Sequence, residues 1–155
     1  MTAMSRRKGQ TGEGEVAKVI SDLTGWKVSR KCRQHGGDDD LTGVDGWRVE
    51  VKRHARATRG DVRSWWEQSA LQAAAEGLLP VLFWRQDRDE WRAVWPVALL
   101  LDAQFAQSWF TYARTAEGTV EAWAAVARNI YAHSCSGCSI RHASSEPSSD
   151  VGKIG

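Results

Sequence analysis

Only three cysteines, Cys32, Cys135 and Cys138, stand in 155 residues. They are too few and too scattered for a disulfide framework, so a reducing compartment is the simpler home. No stretch approaches the ~20 consecutive apolar residues that a membrane span requires. The start, MTAMSRRKGQ, carries no apolar segment of the secretory kind. A cytoplasmic protein with no membrane attachment is therefore expected. Strong net charge is missing too, with 21 Lys+Arg against 19 Asp+Glu. What is present, 42% hydrophobic and 26% charged residues, suits one domain able to bury a core, and leaves no room for two full ones. Nine tryptophans are many for this length. Composition alone leaves open whether they fill a core or ring a surface groove.

The near-neutral total hides an asymmetry. Residues 1–63 hold 14 basic and 9 acidic side chains, residues 64–155 hold 7 and 10. Within the first half, Arg6, Arg7 and Lys8 form one basic group, read as an arm, and Lys27, Arg30, Lys31 and Arg33 a second. Lys52, Arg53, His54, Arg56, Arg59 and Arg63 form a third. Positive charge recurring through one half of a chain suits a phosphate backbone, and an ordinary solvated face is the alternative.

Periodicity divides the chain. Val16, Val19, Ile20 and Leu23 recur at helical spacing, with a start near Thr11-Gly12-Glu13 and an end near Gly25. Trp26 to Cys32 alternates as a strand, and a very short strand is expected around Leu41 after the turn 35–40. Asp45-Gly46 then signals a hairpin into the strictly alternating strand Trp47 to Arg53. From Asp61 an amphipathic helix runs to Gly77, followed by strands over Leu78–Arg85 and Glu90–Val97. The order α-β-β-β-α-β-β predicts a mixed α/β domain, a central sheet flanked by helices, complete by about residue 97. Residues 98–131 read as a helical extension packed on that core, and 132–155, rich in Ser, Gly and charge, as a disordered tail.

Chemistry concentrates on the strand Trp47 to Arg53. Its period of two sets Trp47, Val49 and Val51 on a core face and Arg48, Glu50 and Lys52 on the other, with Glu50 and Lys52 roughly 6.6 Å apart. Glu-Val-Lys alone is common on solvated sheet faces. The turn Asp38-Asp39-Asp40 lies ten residues upstream and would fold back beside Glu50. Glu13 borders the apolar stripe of its helix, whereas Glu15 falls among Lys18 and Asp22 on the side expected to face water. Paired carboxylates are hard oxygen ligands of the kind Mg²⁺ takes, and a neighbouring lysine can steady charge growing on a phosphate.

These residues resemble the archaeal and phage Holliday junction resolvases of the PD-(D/E)XK nuclease superfamily. Arg7-Lys8-Gly9-Gln10-Thr11-Gly12-Glu13-Gly14-Glu15 is similar to the family's basic-glycine lead into a helix with a catalytic Glu. Asp40-Leu41-Thr42-Gly43 and Glu50-Val51-Lys52 follow in family order, and the likeness covers about residues 6–97. The resemblance implies a restriction-endonuclease-like core and a phosphodiester hydrolase leaving 5′-phosphates. It implies Glu13, Asp40, Glu50 and Lys52 as catalytic residues, with Asp40, Glu50, Glu13 and the Val51 carbonyl holding Mg²⁺, for which Mn²⁺ would substitute, and no organic cofactor. It further implies a homodimer acting on four-way DNA in a host cytoplasm. Arg6, Arg7, Lys8, Lys31, Arg33, Arg53, Arg56 and Gln68 are the candidate DNA contacts, and Trp65 or Trp66 a candidate interface. Asp38 and Asp39 compete with Asp40 for the ligand role. A nuclease for flapped, nicked or duplex DNA and a non-catalytic DNA-binding module are the alternatives. Cys135 and Cys138 have the spacing of half a zinc site, with no second pair to complete it.

Overall fold

The computed structural model describes residues 3–31, 39–100 and 110–136, with side chains placed over 10–31, 39–100 and 110–132. Helix α1 spans Ala3–Thr24, followed by strands β1 (Ser29–Arg30), β2 (Leu41–Thr42) and β3 (Trp47–His54). Helix α2 (Arg59–Glu76) leads into β4 (Leu79–Gln86) and β5 (Arg92–Pro96), and the described chain ends with β6 (Thr115–Thr119) and α3 (Val120–Ser136). Short 3₁₀ turns occupy Val97–Leu100 and Tyr112–Arg114.

The sheet order is β3-β4-β5-β6. β3 and β4 are parallel because α2 carries the chain back between them, and the remaining neighbours are antiparallel. α2 starts on a capping box in which the Thr58 hydroxyl accepts from the Asp61 N–H and the Asp61 carboxylate accepts from the Thr58 N–H. It stops at Gly77, whose φ of 68° is left-handed. Helices cover both sheet faces. On one, Val16 and Ile20 of α1 and Trp123 of α3 close over Trp47, Val49, Val51 and Phe83. On the other, Val62, Trp66 and Ala70 of α2 close over Leu82, Trp84 and Val94. Trp123 meets Trp47 and Phe83 edge-on at 5.3 and 4.9 Å, and the Trp66 indole N–H donates to the Phe110 carbonyl at 2.6 Å. Most of the indoles are thus core.

The mixed α/β architecture matches the expectation, and several elements differ. α1 begins eight residues before Thr11, so Arg6 to Lys8 belong to its first turns and are not an arm. Gly9, Gly12 and Gly14 each cost the helix only about 1 kcal/mol against alanine, and the packing of Val16, Ala17 and Ile20 on the core outweighs them. The strand expected over Trp26–Cys32 shrinks to Ser29–Arg30, because the Val28 backbone is taken by the Ser21 hydroxyl at 3.2 and 3.3 Å. β2 pairs with β1 in a separate two-stranded ribbon, so the Asp45-Gly46 turn makes no β2–β3 ladder. Among the described residues, one backbone–backbone bond, Asp40 N–H to the Val49 carbonyl at 3.2 Å, ties the ribbon to β3. Nor is the domain complete at residue 97. Thr115–Thr119 is a strand on β5 and not part of a helical extension, and α3 caps the core. TAEGT shows no apolar alternation because it is an edge strand, held by its ladder to β5 and by Glu117 pairing with Arg59 and Arg92 at 3.0 and 3.2 Å. The segment around Phe105 and Trp109 and the tail beyond 136 lie outside the described residues.

Candidate active site

The alternation of β3 is seen in the structure, with Trp47, Val49 and Val51 buried on the α1–α3 side. Glu50 and Lys52 point to the opposite side, both largely shielded, and their side chains form an ion pair. Asp40, at the head of β2, is fully buried, and its Oδ2 accepts from the Val51 N–H at 2.7 Å. That one contact lays the Asp40 carboxylate against the Glu50–Val51 peptide, so residues ten apart in sequence meet on either side of one amide. The ribbon holds Asp40 there from behind, through the Lys31 N–H to Asp40 carbonyl bond at 3.0 Å.

Glu13 comes from α1. It is 8% exposed, as its place beside the apolar stripe predicts, and pairs with Arg30 Nε at 3.6 Å. The acidic constellation is therefore looser than expected. Among the described residues, no three acidic, His or Cys side chains converge on a metal position. Asp40, Glu50 and the Val51 carbonyl remain a set of hard oxygen donors at one short stretch of β3, which Asp40 meets at the Val51 N–H, and Mg²⁺ is commonly held by one or two carboxylates while keeping its waters. The donor chemistry fits such an ion.

Glu15 corrects the helix reading. Instead of facing water, it accepts from Arg53 Nη1 at 3.1 Å and from the Trp91 indole at 3.2 Å, and pairs with Arg85 Nη2 at 2.8 Å. Positions that a helical wheel assigns to solvent lie over the C-terminal ends of β3 and β4, where arginines wait. Arg53 also pairs with Asp87 at 3.3 Å, so this candidate DNA contact is committed inside the protein. Lys31, Arg56 and Gln68 are exposed. Arg33, Asp38 and Cys138 lie outside the described residues, as do the side chains of Arg6, Arg7, Lys8 and Cys135.

Arg48 was legible only as a solvated sheet residue. It is 1% exposed. Its Nη1 pairs with Asp39 at 3.1 Å and Glu76 at 2.6 Å, and its Nη2 donates to Gln72 at 2.9 Å. Burial pushes the Asp39 carboxyl above its ordinary value, Arg48 and Lys31 oppose the shift, and Glu76 and Glu50 add to it. Asp39 is thereby an anchor for the ribbon beside Asp40. Gln72 of α2 belongs to this anchor through its bond from Arg48. The available signal was the β-α-β order itself: the helix between two parallel strands must cover a sheet face, and α2 covers the one holding Arg48. Beyond Lys52 on the same face, His54 stacks on Trp65 at 4.6 Å, and Trp66 is wholly core, which removes it as an interface residue.

The model of a family described as "Phage putative PDDEXK endonuclease" matches residues 4–131. Among solved structures, the chain is similar to Hjc, a Holliday junction resolvase from the archaeal hyperthermophile Archaeoglobus fulgidus. The two are 14% identical, with 73% of this chain and 84% of that chain covered and a TM-score of 0.40. No curated protein matches the sequence.

Proposed function

We propose, since the chain belongs to the family of phage PDDEXK endonucleases, that it hydrolyses DNA phosphodiesters with Mg²⁺ at Asp40, Glu50 and Lys52, and that its substrate is the four-way junction. The observation that carries the site is the Asp40 carboxylate on the Val51 amide, with Lys52 paired to Glu50 on the adjoining face. Asp40, Glu50 and the Val51 carbonyl would hold the ion, with Glu13 beside them. When bound, the ion supplies Lewis-acid polarisation of the scissile phosphate and positive charge against its oxygens.

The chain's own residues do the rest. The Val51 amide fixes the rotation of the Asp40 carboxylate before substrate arrives, so little ordering is left for the reaction. Lys52 is steered by Glu50 and presents a compact ammonium to the negative charge that grows on phosphorus as water attacks in line. Cleavage of the bond to the 3′ oxygen, which takes up a proton as it leaves, yields a 5′-phosphate. The junction preference is supported by the resemblance over residues 7–15, 40–43 and 50–52.

The test compares Asp40→Asn, Glu50→Gln and Lys52→Ala with the unaltered protein on labelled four-way, forked, nicked and linear DNA, with and without Mg²⁺. Each variant should lose at least ~100-fold in cleavage rate and still bind the junction. Asn at 40 can still accept from the Val51 N–H, so the fold survives that change. Retained turnover in either carboxylate variant overturns the site, and equal cutting of all four DNAs overturns the junction assignment.

A further inference from the structure

Away from the carboxylates, where the chain from α1 enters the ribbon, lies a cavity of ≈ 250 Å³ lined by Trp26, Lys27, Gly43, Asp45 and Tyr131. Its two aromatic walls come from distant parts of the chain. Trp26 is half-buried against the core, and Tyr131 of α3 is 48% exposed, with ring centroids 5.8 Å apart and planes tilted by 56°. A third wall is a close approach of backbones. At Gly43, with φ of 89°, a Cβ would stand 2.0 Å from the Lys27 carbonyl oxygen, so only glycine lets 26–27 and 43–45 meet. The charged groups at the mouth are Lys27 and Asp45, both exposed.

We infer that this cavity receives an unpaired nucleobase of the DNA, a reading that rests on the nuclease function proposed above. Two rings opening at an angle offer a flat aromatic ligand a face and an edge, and stacking of this kind accepts any base. Asp45 can accept from an exocyclic amino group, as acidic side chains do from cytosine N4. Lys27 stands where the attached phosphate would pass, continuous with exposed Arg30 and Lys31 on the ribbon. A base locked in a duplex stack cannot enter a concave site, so the ligand is a base already displaced at a branch, flap or gap. Residues 43–46 join β2 to β3, so the pocket wall and the Asp40–Val51 contact share one short segment of chain. Occupying the pocket thus engages the piece of backbone that carries the carboxylates. Selection of branched DNA then follows from a contact linked to each active site through residues 43–46.

The experiment measures binding to two DNAs of equal length and charge, one fully paired and one with 2-aminopurine at an unpaired position. The Glu50→Gln protein is used so that the strands stay whole. Unpaired DNA should bind about 5- to 150-fold more tightly, the range that one stacked base supplies, and its fluorescence should be quenched. Adding Tyr131→Ala should bring the two affinities together and abolish the quench, whereas Tyr131→Phe should keep both. A Tyr131→Ala change that weakens both DNAs equally, or neither, overturns the pocket. Cleavage of the same DNAs by the unaltered protein is followed in parallel. Cleavage without preference for the unpaired base sinks the pocket alone, and preference without cleavage sinks the nuclease reading alone.

Discussion

At the residue scale, the decisive surprise is that a face predicted to be wet holds a buried guanidinium. Arg48 reconciles Asp39 and Glu76, two carboxylates near each other at the edge of the candidate site. The Asp39 carboxyl lies above its ordinary value. An acid whose folded value is raised holds its proton more tightly folded than unfolded, so ionising it costs stability as pH rises through that value. Arg48 offsets this cost. Arg48→Met should therefore lose about 2 kcal/mol at neutral pH, less than the ~3–5 of a fully buried pair because Glu76 keeps contact with water. The deficit should shrink as pH falls through the raised Asp39 value, because a protonated Asp39 needs no cation. Urea denaturation of both proteins across that pH range measures it, and adding Asp39→Asn to the variant should flatten the difference. A deficit that grows on acidification would refute the role given to Asp39. Asp40, Glu50 and Lys52 were legible as candidates because residue identity and spacing on the chain single them out. Arg48 was not, because burial of a polar strand face depends on which helix crosses it.

At the element scale, the last strand and helix complete the fold. A reading from periodicity ends the domain at residue 97, since β6 has almost no pattern and α3 resembles an amphipathic add-on. In the structure, β6 supplies the fourth strand, and Trp123 of α3 is wholly buried against Trp47 and Phe83. Trp47 opens the strand that bears Glu50 and Lys52, so α3 braces the candidate site from behind. Trp123→Ala should cost ~3–5 kcal/mol, a large share of the ~5–15 that holds a domain of this size. Thermal melting of the variant checks the size of the loss. A melting temperature unchanged by the substitution would show α3 to be an appendage after all. Long, strongly periodic segments such as α2 and β3 were readable to within a residue or two of their ends. The very short β2 was also found where expected, around Leu41, whereas β1 was overextended and β6 missed, because local backbone bonds and long-range pairing decide them and neither leaves an apolar pattern.

At the scale of the whole molecule, the proposed junction substrate raises the question of how a chain of 17.2 kDa could cut two strands of one junction. Paired cuts need two active sites in fixed relation, and a two-fold dimer is the simplest arrangement that provides them. Excess Glu50→Gln protein, mixed with unaltered protein and re-equilibrated, should then form heterodimers with one live site each. Such heterodimers nick a junction without completing the second cut. A supercoiled plasmid that extrudes a cruciform should accumulate as nicked circles, and linear product should fall faster than total cleavage. A monomer cutting independently predicts the opposite pattern, in which the ratio of nicked to linear product follows only the amount of live enzyme. Sizing the protein on and off junction DNA separates a standing dimer from one assembled on its substrate. If the mixture merely dilutes activity and the complex on DNA holds a single chain, paired cleavage by this protein is ruled out, while the chemistry assigned to Asp40, Glu50 and Lys52 stands apart from that result.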